Sequence, residues 1–380
     1  MRESGFLWGP ENHSYGVNGF MVYGPTGKAL KNKIESAYRQ IFLKENFFEI
    51  ETPVLYPTKA WESSGHYSRH SDEMFTTSTS DGVKLCGRPE IATTVFSLYP
   101  LLSTHFKGYE PIKVFLSGIS LPNDLQTEWQ TRTRQYTAHE GHLIFTQLNY
   151  DFDKTIEYLR NLAFQFMESI GIPHDSLVFS EKVGPDQPFY ASKAYGLYYR
   201  NPGEEDLELL GIQYRKDHDF KAHNITSQSK TSEANQYPHD FEISFSTDRP
   251  LLVILKHSLS LDGDREYRNL TTTVSPFAFA ILPVNKSESI EFINSKIVPI
   301  FNNKFGQTPI LTQESMARRY QTIDLMGILF SVVVDKNNQL FIRLRDTGTQ
   351  VNISIETLTN LVTTSSTIDD LLANIKLLFL

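Results

Sequence analysis

Apolar residues in the first part of the chain recur at helical spacing. Between residues 27 and 46, Leu30, Ile34, Tyr38, Ile41 and Phe42 fall on one face and Lys and Glu fill the other, which predicts an amphipathic helix. A short strand follows over 47–51 and is stopped by Thr52-Pro53. Further helices are predicted over 90–103 and 153–170, the second with Ile156, Leu159, Leu162, Phe166 and Met167 on one face. Strand-like runs lie at 112–119 and 131–145, and apolar runs of strand length at 207–213 and 251–255. Composition marks 224–236 as a loop.

After residue 272 the grammar changes. A strand at 277–283, a helix at 287–304, a strand at 309–311, a helix at 314–326 and an apolar β-run at 328–334 follow one another. That alternation predicts a small α/β domain with a mostly parallel sheet. Before 272, strands in meandering order predict an antiparallel sheet flanked by helices. The expected fold class is therefore α+β, with domains at 1–272 and 273–380.

Composition narrows the classes of function. A formal net charge of −8 argues against coating a nucleic acid by bulk electrostatics and leaves room only for local basic strips. Cys86 is the single cysteine, which excludes an internal disulfide and a cysteine-based metal site. Its plain reading is a small buried apolar residue. No apolar run approaches the roughly 20 residues that span a bilayer. The opening Met1-Arg2-Glu3-Ser4-Gly5-Phe6 has no signal-peptide apolar region. The expectation is a protein that is not secreted and has no membrane partner, in the cytoplasm or the mitochondrial matrix.

Several strings gain meaning from their order. They are Gly5-Phe6-Leu7-Trp8, Tyr23-Gly24-Pro25, Phe47-Phe48-Glu49-Ile50-Glu51-Thr52-Pro53, Trp61-Glu62-Ser63-Ser64-Gly65-His66 and Arg88-Pro89-Glu90. Phe189-Tyr190-Ala191 follows, then Leu210-Gly211-Ile212 with Tyr214-Arg215-Lys216-Asp217-His218-Asp219-Phe220. Ala317-Arg318-Arg319-Tyr320 with Asp324 and Gly327, and Arg345-Asp346-Thr347, complete the series. Together they resemble glycyl-tRNA synthetase of the archaeal and eukaryotic style, a class II aminoacyl-tRNA synthetase. The resemblance implies an antiparallel catalytic-like domain, a homodimer built on motif 1 at residues 47–53, and a C-terminal domain of the anticodon-binding kind.

Class II enzymes activate an amino acid by attack of its carboxylate on the ATP α-phosphate, so cationic side chains must neutralise the phosphates in the transition state. The family's motif 2 reads Phe-Arg-x-Glu, a loop, then Arg-x-x-x-Phe-x-x-x-Glu. Arg132, Tyr136 and Glu140 keep the second arm. Counted back without a gap, the first arm falls on Ser120-Leu121-Pro122-Asn123. Leu121 then stands for the α-phosphate arginine and Asn123 for the adenine-side glutamate, and no catalytic residue is expected. Motif 3 is a Gly-rich segment with an Arg opening a helix. Its candidate is 261–265, with Arg265 as a remnant and Ser258 in place of a glutamate; the plain reading of Arg265 is a charged turn.

The amino-acid side reads differently. Alternation puts Arg132, Arg134, Tyr136, Glu140 and His142 on one face of a strand. The resemblance places Glu90, Glu140 and Arg215 around a bound glycine, beside Arg88, with the carboxylates on its ammonium and Arg215 on its carboxylate. The alternative is a structural ion-pair network. His139 and His142 point to opposite faces, so no metal is expected, and Asp217-His218-Asp219 reads as a structural turn. Arg318 and Arg319 on a helix, with Arg343 and Arg345 on one face of a strand, are candidate contacts for phosphates or a partner; the alternative is solvated surface or internal pairing.

These readings combine into a non-catalytic, cofactor-free homodimer serving as an accessory or binding subunit of a nucleic-acid machinery, in contact with RNA, DNA or a protein partner. The accessory subunit of mitochondrial DNA polymerase, a descendant of the same family, is comparable. One alternative is a divergent active glycine–tRNA ligase using ATP and Mg, with Lys113 or Arg134 as the replacement cation. The other is an amino-acid sensor built on Glu90, Glu140 and Arg215.

Overall fold

The computed structural model describes residues 4–124, 127, 131–201, 203–227 and 236–380. The chain divides into two compact units. One consists of Gly9–Met21 and Glu35–Val253, and the other of Met1–Trp8, Val22–Ile34 and Ile254–Leu380. Of the expected loop at 224–236, residues 228–235 lie outside the described residues.

The first unit is built on a seven-stranded sheet. Its strands are β1 (Phe48–Glu49), β2 (Ile112–Ser120), β3 (Tyr136–Phe145), β4 (Leu177–Lys182), β5 (Lys193–Tyr199), β6 (Leu207–Lys216) and β7 (His239–Ser246), in the spatial order β1-β2-β3-β7-β6-β5-β4. Only the β1–β2 pair is parallel. Helices α1 (Pro25–Lys44) and α2 (Phe152–Ser169) arise from the periodic apolar faces that the sequence predicts. Tyr38 and Phe42 of α1 and Phe166 of α2 meet Phe115 of β2 and Phe245 of β7 on one side of the sheet. On the other side, Val114, Leu116, Ala138 and Ile144 pack against Ile91, Val95, Phe96 and Phe106. Strand alternation thus separates a helix face from a second face, and the second face carries the site.

Three expectations are corrected here. The run at 251–255 is not a strand but part of helix α3 (Asp248–His257). A short apolar run fits either element, and the flanks decide: Asp248 opens the helix, Pro250 is tolerated in the first turn, and Lys256 and His257 close it. The predicted helix over 90–103 is two short ones, Ala92–Phe96 and Tyr99–His105. The strand expected from 131 begins only at Tyr136.

The second unit contains a four-stranded sheet of β8 (Phe279–Pro283), β9 (Phe330–Val334), β10 (Leu340–Leu344) and β11 (Gln350–Ile353), paired in that order. The β8–β9 pair is parallel and the two others antiparallel, so the sheet is mixed rather than mostly parallel. The cause is local. A tight turn at 335–339, in which the Asp335 carboxylate accepts the N–H groups of Asn337 and Gln339, folds β10 straight back on β9. The expected strand at 309–311 is reduced to one parallel bridge between Ile281 and Ile310. Phe279, Ile281, Phe301, Phe330, Val332, Ile342, Leu358 and Leu371 form the core of this unit.

Candidate functional site

A cavity of about 560 Å³ opens on the second face of the seven-stranded sheet. Its floor is Tyr136, Ala138 and Glu140 of β3 with Glu242, Ser244 and Ser246 of β7, and Glu90, Tyr190 and Arg249 close around it. Register fixes what else faces this way. Ser120 of β2 stands opposite Tyr136, Gly118 opposite Ala138 and Leu116 opposite Glu140. Residues paired across an antiparallel ladder share a face.

This register moves the motif 2 expectation by one residue. An arginine that neutralised a phosphate in the cavity would project from the face of Tyr136, which is the position of Ser120. Leu121 points away: its amide N–H donates to the Arg88 carbonyl at 2.7 Å, and its side chain lies so close to Gly87 that a Cβ there would come within 2.9 Å of Cδ1. Asn123 likewise leaves the cavity, its amide 3.4 Å from the Asp72 carbonyl oxygen, while Pro122 lines it. The face of Tyr136 is therefore continued by Ser120 and Pro122, not by Leu121 and Asn123; Pro122 lines the cavity, Ser120 is fully buried, and neither carries charge. The proposed substitute cations are elsewhere. Lys113 lies on the helix face, 3.3 Å from the Glu45 carbonyl oxygen and over the rings of Phe47 and Tyr158. Arg134 donates to the Asp124 carbonyl at 2.9 Å.

One cationic residue was missed by the sequence reading. Arg249, in the first turn of α3, lines the cavity and donates to the backbone carbonyls of Thr131 at 3.2 Å and Glu208 at 3.1 Å. A strand, β7, that runs into a helix opened by arginine is the arrangement the resemblance implies for motif 3. Glu242 of β7 lines the cavity with Arg249, and the expected candidates Ser258 and Arg265 do not. Arg265 belongs to the second unit, in the hairpin of Leu259–Asp262 and Arg265–Arg268, where it pairs with Asp262 and Asp324 at 3.0 and 3.3 Å. The missed signal was Asp248-Arg249-Pro250 ahead of an apolar run that ends in Lys256-His257.

The expected glycine contacts divide. Glu90 and Glu140 line the cavity, as do Tyr136 and Arg132, the last in an ion pair with Asp124. Arg215 does not. It is fully buried, with Nε and Nη2 on the two oxygens of Asp219 at 2.7 and 2.9 Å and Nη1 on Glu242 at 2.7 Å. Its guanidinium stacks 3.9 Å from the Tyr190 ring centroid. All three nitrogens are engaged within the protein, so Arg215 is not turned toward a ligand carboxylate. Arg88 is also structural. It bonds the carbonyl oxygens of Ile119 and Thr52 at 2.8 and 2.9 Å, and it occupies the space that a Cβ at Gly118 would fill.

Around Glu140 the interior is strongly acidic. Burial pushes its carboxyl up to about 8, and the neighbouring Glu242 adds to this. His142 lies behind it, Nδ1 3.1 Å from Asp240 and Nε2 3.5 Å from Glu140. Burial opposes its charge, but Asp240 and Glu140 prevail and hold the imidazolium up to about 10. His142, Asp240 and Glu242 bring ligand atoms within 4.8 Å of one another, the one group among the described residues suited to hold a metal ion. His139 faces the opposite way, bonded to Ser117 at 2.7 Å and Thr247 at 2.6 Å, as strand alternation requires. Cys86 is buried, and burial raises its thiol to about 11, which leaves it unreactive.

In the second unit the candidate phosphate contacts turn inward. Arg343 makes a bidentate pair with Asp324, both bonds 2.8 Å. Arg319 binds the carbonyl oxygens of Gln313, Pro283, Thr312 and Glu314. Arg345 binds those of Leu270 and Gly327 and the side chain of Asn269. All three are buried. The expectation that they meet phosphates is corrected: each satisfies backbone or carboxylate oxygens that would otherwise be unpaired. Arg318 alone of the four is exposed, beside Glu314 at 3.4 Å.

Comparison with known proteins agrees with this geometry. Residues 280–364 match the family described as anticodon binding domain. The prolyl-tRNA synthetase of Giardia lamblia, solved with prolyl-adenylate, superimposes with a TM-score of 0.71 at 20% identity, covering 96% of this chain and 76% of that one. That of Cryptosporidium parvum, complexed with L-proline and AMP, gives 0.69 at 14% identity, covering 100% and 78%. The fold is that of a class II aminoacyl-tRNA synthetase. In sequence, the glycine–tRNA ligase of Methanothermobacter thermautotrophicus is 22% identical and that of Pyrococcus furiosus 21%, each alignment covering 94% of this chain and 96% of the relative. Over nearly its whole length the chain is thus similar in sequence to glycine–tRNA ligases. The first alignment runs over 543 positions against 380 residues here, so the relatives carry long segments without a counterpart in this chain.

Proposed function

We propose that this chain is a dimeric, non-catalytic synthetase-like subunit that retains a small-ligand cavity and has lost amino-acid activation. One observation carries the reading: the strand end beside Tyr136 offers the cavity Pro122, with Ser120 buried behind it, and no cationic side chain. Among the described residues the lining holds six carboxylates, Glu90, Asp124, Glu140, Glu208, Glu242 and Asp248, against two arginines, Arg132 and Arg249. Both arginines are already bonded to the protein. Loss of one transition-state donor costs on the order of 10³-fold in rate, and loss of an arginine that neutralises a phosphoryl group costs as much or more. ATP–pyrophosphate exchange with glycine tests the reading; no glycine-dependent exchange is expected, and robust exchange would overturn it.

Arg249 favours a second reading, a divergent glycine–tRNA ligase that uses ATP and Mg. The curated relatives bear that activity in their names. The same exchange assay separates the two.

The match to an anticodon binding domain supports an accessory role in a nucleic-acid machinery. The inward-facing arginines favour a protein partner over direct phosphate contact. Dimerisation is supported by two exposed aromatic side chains at the sheet edge, Phe48 of β1 and Tyr109, which meet edge to face beside the buried Phe106. Sedimentation of the full chain at micromolar concentration should give a dimer, and Phe48→Asp a monomer. No helix among the described residues is long and apolar enough to cross a membrane, and the reading keeps the cytoplasm or mitochondrial matrix as its compartment.

A further inference from the structure

In the middle of the seven-stranded sheet, two neighbouring strands bring three metal-ligating side chains together. His142 of β3 stands directly opposite Glu242 of β7, and Asp240 lies two residues along β7 on the same face. One ligand atom from each of the three falls within 4.8 Å of the others. A dication with bonds of about 2.0–2.2 Å holds its ligand atoms about 3–4 Å apart, and His142 Nδ1 already lies 3.1 Å from Asp240 Oδ2. An independent feature marks the group as incomplete. Asp240 is fully buried, and its second oxygen, Oδ1, has no hydrogen-bond partner. A buried carboxylate oxygen without a donor is destabilising, and a bound cation removes that penalty. The guanidinium beside these groups, Arg215, is engaged by Asp219 and by Oε2 of Glu242. Glu242 also lines the cavity, which gives an ion from solvent a way in.

We propose that His142, Asp240 and Glu242 form a binding site for one divalent transition-metal ion of the zinc kind, bridging β3 and β7. Ligand chemistry decides the class. An imidazole nitrogen with two carboxylates suits zinc and its neighbours, whereas magnesium and calcium take oxygen ligands. Charge agrees with this. Asp240, Glu242 and the nearby Glu140 all act on His142, and a dication answers carboxylates that Arg215 leaves unmatched. The role is structural: ligands from two adjacent strands cross-link the sheet beneath the cavity. The site is independent of whether the chain activates an amino acid. Sequence hid it because Asp240 lies 98 residues beyond His142, while the neighbouring His139 is turned to Ser117 and Thr247 on the other face.

The test uses the full chain, stripped with a chelator, dialysed against micromolar zinc chloride and then against metal-free buffer. Elemental analysis should find one zinc per chain. Zinc should raise the melting midpoint, and magnesium at equal concentration should not. Asp240→Asn, which keeps the shape of the side chain, should weaken zinc by about ten-fold or more, and His142→Gln should do the same. If neither variant folds, cobalt(II) on the parent chain decides, since a site of four or five ligands absorbs visible light far more strongly than the six-coordinate free ion. Failure to retain zinc, equal retention by the folded variants, magnesium binding as well as zinc, or a cobalt spectrum like that of the free ion would each overturn the proposal. None of these results touches the non-catalytic reading, which falls only to glycine-dependent pyrophosphate exchange.

Discussion

The two walls of the cavity have the same sheet beneath them and differ in how they treat charge. At the wall of Glu90, Glu140 and Glu242 the acidic groups stand in place, backed by His142 and by the Arg215–Asp219 pair. Elsewhere in the lining the strand end after β2 supplies Pro122, and Arg249 and Arg132 are occupied by Thr131, Glu208 and Asp124. The acidic groups are tied into the core through buried ion pairs and cannot be removed cheaply.

That difference predicts where substitutions hurt. The largest effect is expected at Arg215. Arg215→Ala leaves Asp219 and Glu242 buried without a counter-ion and should cost about 3–5 kcal/mol in urea unfolding. A cost below about 1 kcal/mol would break the claim that the acidic wall is structurally anchored. Gly118→Ala comes next. Its Cβ would lie 1.9 Å from Arg88 Nη2, so the guanidinium must move, at about 1–3 kcal/mol. Arg318→Ala, at an exposed ion pair, should fall within about 0.5 kcal/mol of the parent.

Titration sharpens the same contrast. Glu140 and His142 are both held above their ordinary values, at about 8 and about 10. Groups whose folded value is raised stabilise most below the unfolded value and lose that contribution as pH climbs through the folded one. Stability of the metal-free chain should therefore decline from about pH 4.5 to about pH 10, most steeply between about 6.5 and 8 where both groups contribute, and Glu140→Gln should remove the part of the decline below about 8. The groups facing Glu140 are Glu242, Glu90, His142, Arg88 and Tyr136.

Much of the fold was legible because periodicity carries it. α1, α2, β2 and β6 follow from apolar spacing alone. The run at 251–255 was not legible by period, since five apolar residues suit a strand as well as a helix, and only the polar flanks separate them. Which residues after β2 face the cavity could not be read from an ungapped count. Pairing of Ser120 with Tyr136 settles the face, and pairing is a property of three dimensions. The arginines of the second unit stayed open between phosphate contact and internal pairing because nothing local in the sequence brings Asp324 to Arg343 across 19 residues. Candidate residues were found where the chemistry sits on one strand, as with Glu140, and misjudged where a distant partner decides the role, as with Arg215.

The most direct measurement is titration of the full chain with ATP and magnesium by calorimetry. The account predicts no saturable binding below about millimolar nucleotide, because the wall that faced phosphates has lost its strand-borne cation. Micromolar binding that disappears in Arg249→Ala would show that the remaining guanidinium still holds a triphosphate, and would contradict it.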